Sequence, residues 1–125
     1  MLTKIIAHRG SKGTRPENTL PAFIAAIEDG ADGIETDVHL SQDGQLIIMH
    51  DELVDRTTDG TGRIADQTLA ELKQLDAGVR YDPAYAGTRI PTLDEVVQLL
   101  IQRHFTGIFN LEIKTNKIHY EGIED

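Results

Sequence analysis

Short apolar runs alternate with amphipathic stretches along the whole chain. Lys4 to Ala7 reads as a strand that runs into the polar His8-Arg9-Gly10. Beyond a loop bearing glycine and proline, Thr19 has the form of an N-cap, with Pro21 tolerated in the first turn. Leu20, Phe23, Ile24 and Ile27 then recur at helical spacing, and Gly30 ends the helix. Gly33 to His39 forms a second strand, Asp43-Gly44 marks a turn, and Leu46 to Met49 is a third strand, apolar throughout. Asp51 to Ala65 reads as a loop. Thr68 with Glu71 fits a capping box ahead of Leu72 and Leu75, and Gly78 to Arg89 is again loop-like. Thr92 with Glu95 is a second capping box, opening a helix whose expected apolar stripe is Leu93, Val96, Val97, Leu100 and Ile101. Ile108 to Ile113 is the fourth strand. Strands separated by helices imply an α/β fold with parallel pairing through right-handed crossovers. Periodicity alone leaves open whether the sheet is doubly wound or part of a barrel.

Composition narrows the class. The 125 residues suffice for one domain. Cysteine is absent, which removes disulfide scaffolds and thiolate metal sites and makes a cytoplasmic address the expectation. No apolar run approaches the roughly 20 residues of a membrane span, and the first, Leu2 to Ala7, is too short for a signal peptide. The 12 Lys and Arg against 21 Asp and Glu leave a net charge of −9, so nucleic acid is not an expected partner. An anionic substrate would be repelled too, unless a local cation cluster or a bound metal reversed the field.

The chemistry collects at strand ends. The strands finish in His8-Arg9, in Glu35 and Asp37, in His50-Asp51, and in Glu112 and Lys114. In parallel α/β architectures that edge is where active sites are built. Glu35 and Asp37 share one strand face by parity, as do Asn110, Glu112 and Lys114. Strands lying between helices should be covered, and a covered carboxylate needs a cation. A hard divalent metal such as Mg²⁺ or Ca²⁺ satisfies Glu35, Asp37 and Glu112 together. A cluster of Lys and Arg ion pairs is the competing explanation.

Several motifs recur in a characteristic order: His8-Arg9-Gly10, Pro16-Glu17-Asn18-Thr19, Glu35-Thr36-Asp37-Val38, Asp43-Gly44, His50-Asp51, Asp55-Arg56-Thr57-Thr58 with Gly60-Thr61-Gly62, Ile90-Pro91-Thr92-Leu93, and Leu111-Glu112-Ile113-Lys114. In this order and spacing the chain resembles the N-terminal half of the glycerophosphodiester phosphodiesterases. The resemblance implies a TIM barrel, of which residues 1–125 would be a partial domain of about half the (β/α)8 units. A small insertion would follow the third strand, at about 51–89. It implies hydrolysis of glycerophosphodiesters to glycerol 3-phosphate and an alcohol, with a divalent cation as cofactor. Glu35, Asp37 and Glu112 match the metal ligands, and His8 and His50 match the acid–base pair. Arg9 and Lys114 match positions facing the phosphate, and Glu17 matches a carboxylate of the catalytic cluster. The alternatives are a related barrel phosphodiesterase acting on lysophospholipids, and a catalytically silent half-barrel serving as an interaction module. An open half-barrel also leads one to expect a homodimer that covers it.

Other residues carry milder expectations. His39 continues the parity of Glu35 and Asp37, yet the loop above the site is its favoured place. His104 suits a helix C-terminus, and His119 a solvated terminal segment. Asp51 and Arg56 are expected to shape the loop after His50. Tyr81 and Tyr85 would line a substrate rim or pack the excursion. The Gly-rich run from Asp59 to Arg63 has the composition of a phosphate cradle without its strand-to-helix setting.

Overall fold

The structure, a computed structural model, describes residues 6–10 and 14–113. Among these described residues four strands, β1 (Ile6–His8), β2 (Gly33–Leu40), β3 (Leu46–Ile48) and β4 (Ile108–Ile113), form one sheet. Three α-helices among the described residues accompany them: α1 (Leu20–Glu28), α2 (Leu69–Leu72) and α3 (Leu93–Gln102). No helix among the described residues is long and apolar enough to cross a membrane.

β2 is the centre of the sheet. Its first residues pair in parallel with β1 on one edge, where His8 stands opposite Glu35. On the other edge it pairs in parallel with β4, where Asp37 stands opposite Glu112. β3 departs from the expected parallel order. It runs antiparallel to the end of β2, with Val38 opposite Ile48 and Leu40 opposite Leu46. The cause is connection length: a parallel return needs a crossover of a dozen or more residues, whereas Ser41 to Gln45 can close only a hairpin. Hydrogen bonds from Ser41 N to Gln45 O and from Gly44 N to Ser41 O hold that turn. The parallel set is therefore β1, β2 and β4, and β4 is reached through the long excursion and α3.

Parity divides the sheet into two faces. Ile34 and Val38 meet Phe23 and Ala26 of α1, Val96, Leu99 and Leu100 of α3, and Ile48 in the main core. Each fully buried large side chain there contributes ~1.5–3 kcal/mol, so this layer dominates the fold's stability. Ile101 is not part of the stripe: it is 62% exposed, and Leu99 is buried in its place. A second cluster of Ile47, Met49, Val54, Ile64, Leu72, Ala77 and Ile90 seats the excursion between β3 and α3. That segment is therefore packed, although its sequence reads as loop.

Helix ends follow their local chemistry. The Thr19 hydroxyl accepts from Ala22 N, and Thr68 and Thr92 each complete a capping box. After α1, Gly30 N bonds Ile27 O and Ala31 N bonds Ala26 O, with Gly30 at φ +77. The same pair of bonds recurs after α3, from His104 N to Ile101 O and from Phe105 N to Leu100 O. His104 there takes φ +55, the role a glycine fills after α1. Its place is structural.

The opposite face of the sheet carries His8, Glu35, Asp37, Asn110 and Glu112, with Ile6 and Ile108 flanking Gly33 at its lower end. Glu35 and Asp37 are buried, but Glu112 is exposed, contrary to the expectation that every carboxylate there is covered. Ile6 and Ile108 are 42% and 45% exposed. The barrel-facing surface is thus apolar only at its base and polar where the chemistry lies.

Candidate active site

Three carboxylates from adjacent parallel strands converge. One oxygen from each of Glu35, Asp37 and Glu112 lies within 4.8 Å of the others. Oxygen ligands on opposite sides of a cation sit about 4.2 Å apart around Mg²⁺ and about 4.8 Å around Ca²⁺, so the spacing suits either. Glu35 Oε1 lies 3.2 Å from His8 Nε2 and accepts from Arg9 N at 3.3 Å. Its Oε2 is buried with no hydrogen-bond partner. A buried, unsatisfied carboxylate oxygen is costly in protein alone and well placed for a cation, so the residues present fit a divalent metal. Burial, and then the charge of Asp37, push the Glu35 carboxyl up to about 7.

Asp37, fully buried, is oriented by a residue whose role was not legible. Asn18 donates from Nδ2 to Asp37 Oδ2 at 3.2 Å and accepts from Thr36 Oγ1 at 2.7 Å. It does so from the left-handed region, at φ +54. Arg9 is likewise left-handed, at φ +56, with its N donating to Glu35 O. Non-glycine residues held there concentrate where function requires a particular side-chain direction. The turn continues through Gly10, where a Cβ would come within 2.8 Å of the Ala22 backbone of α1.

Arg9 Nε lies 3.7 Å from Asp37 Oδ2, and Nη1 donates to Glu17. Arg56 grips Glu17 with both terminal nitrogens, at 3.0 and 2.9 Å. It also holds Asp51 through Nε at 2.8 Å and Nη2 at 3.1 Å. Burial would raise the Glu17 carboxyl, but Arg56 and Arg9 outweigh it and keep the group below its ordinary value. Glu17 is therefore an ionised clamp for two arginines, apart from the three-carboxylate group. Arg56, above all, draws Asp51 down to about 2.

His50 follows β3, and its Nδ1 lies 2.9 Å from Asp51 Oδ1. A carboxylate there makes Nδ1 the protonated nitrogen and leaves Nε2 as the atom that exchanges protons. His39 is buried within β2, not on the loop above it. Its Nε2 lies 3.1 Å from the carbonyl oxygen of His50; an oxygen there can only accept, so His39 carries its proton on Nε2. The hairpin creates this contact, which is why parity alone could not reveal it. Lys114 and His119 lie outside the described residues. Arg9, Glu17 and Arg56 also line a cavity of about 470 Å³, which extends to Ala77, Arg80 and Tyr81 of the excursion.

The chain that places these carboxylates, histidines and arginines together is similar in sequence and fold to known proteins. The sequence model of the Glycerophosphoryl diester phosphodiesterase family matches residues 8–124. The chain belongs to that family. A glycerophosphodiester phosphodiesterase of Caldanaerobacter subterraneus subsp. tengcongensis is 52% identical over all 125 residues, which cover 51% of that relative. Among solved structures, a glycerophosphodiester phosphodiesterase from Agrobacterium tumefaciens superposes with TM-score 0.83 at 42% identity, over 90% of this chain and 47% of that one. An Oleispira antarctica phosphodiesterase, solved in complex with the product sn-glycerol-3-phosphate, gives TM-score 0.84 at 47% identity over 90% and 45%. The fold is that of these TIM-barrel phosphodiesterases, and the chain spans about half of them as an open, unclosed sheet.

Proposed function

We propose that this phosphodiesterase-family chain carries the metal and acid–base residues of an enzyme that hydrolyses glycerophosphodiesters to glycerol 3-phosphate and an alcohol. The observation that carries the reading is the convergence of Glu35, Asp37 and Glu112 at the strand edge that also bears His8 and Arg9. Residues 1–125 form a partial domain, with about 51–89 as its insertion. Glu35, Asp37 and Glu112 would hold Mg²⁺ or Ca²⁺, which supplies charge to the phosphoryl oxygens.

The chain's own residues do the rest. Arg9, fixed by Glu17, faces the phosphate and meets the charge that grows on oxygen as the P–O bond breaks, together with Lys114. One of His8 and His50 takes the proton of the glycerol hydroxyl next to the phosphate. That oxygen attacks phosphorus, and the departing alcohol takes a proton from the other histidine. Water then opens the cyclic phosphate with the two roles exchanged. The Asp51 carboxylate keeps Nε2 of His50 as the working nitrogen.

The test is release of glycerol phosphate from glycerophosphocholine, set against a lysophospholipid, with and without added Mg²⁺ or Ca²⁺. Metal-dependent release from the water-soluble diester supports the reading. Turnover of the lysolipid alone would favour the lipid-acting relative, and metal-independent turnover would sink the role given to the carboxylates.

A second proposal concerns assembly. Exposed Ile6 and Ile108 mark an apolar base on the open inner face, and a second copy related by a two-fold axis would cover it. Light scattering of the 125-residue chain at micromolar concentration should therefore report a dimer, and a compact monomer would refute it. In that reading the isolated chain is a weak catalyst or a silent module. A cytoplasmic address and a role in recycling deacylated phospholipids accompany the enzymatic reading; both rest on the cysteine-free composition and the family.

A further inference from the structure

The cavity beside the carboxylate triad has a charge balance unlike that of the chain as a whole. Among the described residues, three guanidinium groups, of Arg9, Arg56 and Arg80, line it with a single carboxylate, Glu17. The overall net charge is −9. Arg9 and Arg56 are committed to Glu17, and Arg56 to Asp51 as well. Arg80 stands outside that network. Its Nε donates to the Thr58 carbonyl oxygen, and none of the described carboxylates pairs with it. Anchoring this arginine through Nε leaves both terminal nitrogens, the fork that matches an oxyanion, without a hydrogen bond or ion pair to the other described residues.

The segment that carries Arg80 is built as a rigid platform. Asp76 accepts from Gly78 N and Val79 N through Oδ1 at 2.9 Å each, and from Gly87 N through Oδ2 at 2.6 Å, tying both ends of the loop to one side chain. Tyr81 N and Asp82 N both bond Gly78 O, and Ala77 N bonds Thr88 O at 2.7 Å. Tyr81 and Tyr85 meet edge to face at 5.9 Å, and Arg15 lies over the Tyr85 ring at 6.0 Å. A guanidinium on such a loop loses little freedom when it binds.

The geometry points to Arg80 as a specificity-determining residue that recognises an anionic group on the alcohol part of the diester. This rests on the phosphodiesterase reading and deepens it. Arg9 belongs to the phosphate that reacts, and Arg80, which lines the same cavity from the excursion, belongs to a second negative charge on the leaving alcohol. A quaternary ammonium would face an unneutralised guanidinium there and be disfavoured. The preferred substrates are therefore glycerophosphodiesters whose alcohol carries its own phosphate, with neutral polyols next and choline last.

Calorimetric titrations of the 125-residue chain with Mg²⁺ present test this, using sn-glycerol 3-phosphate, glycerophosphoglycerol phosphate, glycerophosphoglycerol, glycerophosphocholine and inorganic phosphate. Wild type should bind glycerophosphoglycerol phosphate roughly tenfold or more tightly than glycerophosphocholine, the worth of one charge-assisted fork. Arg80→Gln should bring the two within about threefold while leaving sn-glycerol 3-phosphate affinity unchanged, and Arg80→Lys should keep part of the preference. Equal binding of the anionic and choline diesters by wild type, with sn-glycerol 3-phosphate still bound, would overturn the proposal alone. Arg80-dependent binding of inorganic phosphate as tight as that of the anionic diester would also overturn it, since the site would then read free phosphate. Failure of wild type to bind sn-glycerol 3-phosphate would overturn the functional reading and this inference with it.

Discussion

Replacing His50 by Ala should lower turnover by about 10²–10⁴-fold, the usual worth of a positioned proton-transfer group, with little change in KM. The same holds for His8→Ala. The reasoning is geometric: His8 Nε2 stands 3.2 Å from Glu35, beside the carboxylate triad, and Asp51 holds His50 through Nδ1. A pair that exchanges acid and base roles should give a bell-shaped pH–rate profile whose limbs belong to the pair. Asp51→Asn should damage the profile more than the binding, because it frees the tautomer of His50. Near-normal turnover by His8→Ala in an assembly that is active as wild type would end the mechanism.

Glu35→Gln should abolish or strongly weaken divalent metal binding, and wild type should gain about 2.7 kcal/mol at a hundredfold excess of cation over Kd. For a chain of this size that is a rise of roughly 10 °C in Tm. The pH dependence has a definite sign. The Glu35 carboxyl, at about 7 in the folded chain against an ordinary 4.5, binds its proton more tightly folded than unfolded. Its contribution to metal-free stability is therefore full below the unfolded value and lost as pH rises through about 7. Metal binding near pH 6 should accordingly release about one proton from the coupled carboxylates, and none well above pH 8. Calorimetry in buffers of different ionisation enthalpy counts that proton. Indistinguishable isotherms for wild type and Glu35→Gln would remove Glu35 from the site.

Arg56 makes the network around these groups cooperative. It neutralises Glu17 and Asp51 together, so the orientations of Arg9 and His50 are linked through one guanidinium. Its sequence setting, in a loop after His50, shows only that it lies near. Bidentate pairing to two carboxylates is a property of distance and plane, and neither is encoded by spacing along a loop.

The sequence by itself determined the elements whose causes are local. Thr19, Thr68 and Thr92 announce helix starts through a hydroxyl three residues from the amide it accepts. Strand parity placed Glu35 and Asp37 on one face, and the motif series identified the family before any coordinate was needed. Only the tertiary structure decided how those elements meet. It turned β3 antiparallel, because a five-residue link cannot cross over. It set β4 directly beside β2, so that Glu112 stands opposite Asp37. That neighbouring of strands over seventy residues apart completes the carboxylate triad. Asn18 on Asp37, His39 on the His50 carbonyl and Arg56 between two carboxylates are contacts of the same kind. Each depends on which segments are brought together by burying Phe23, Ile34, Val38 and Val96 in a common core, and hydrophobic burial is non-directional: it selects a packing of the whole chain and leaves no local mark at the residues it makes neighbours.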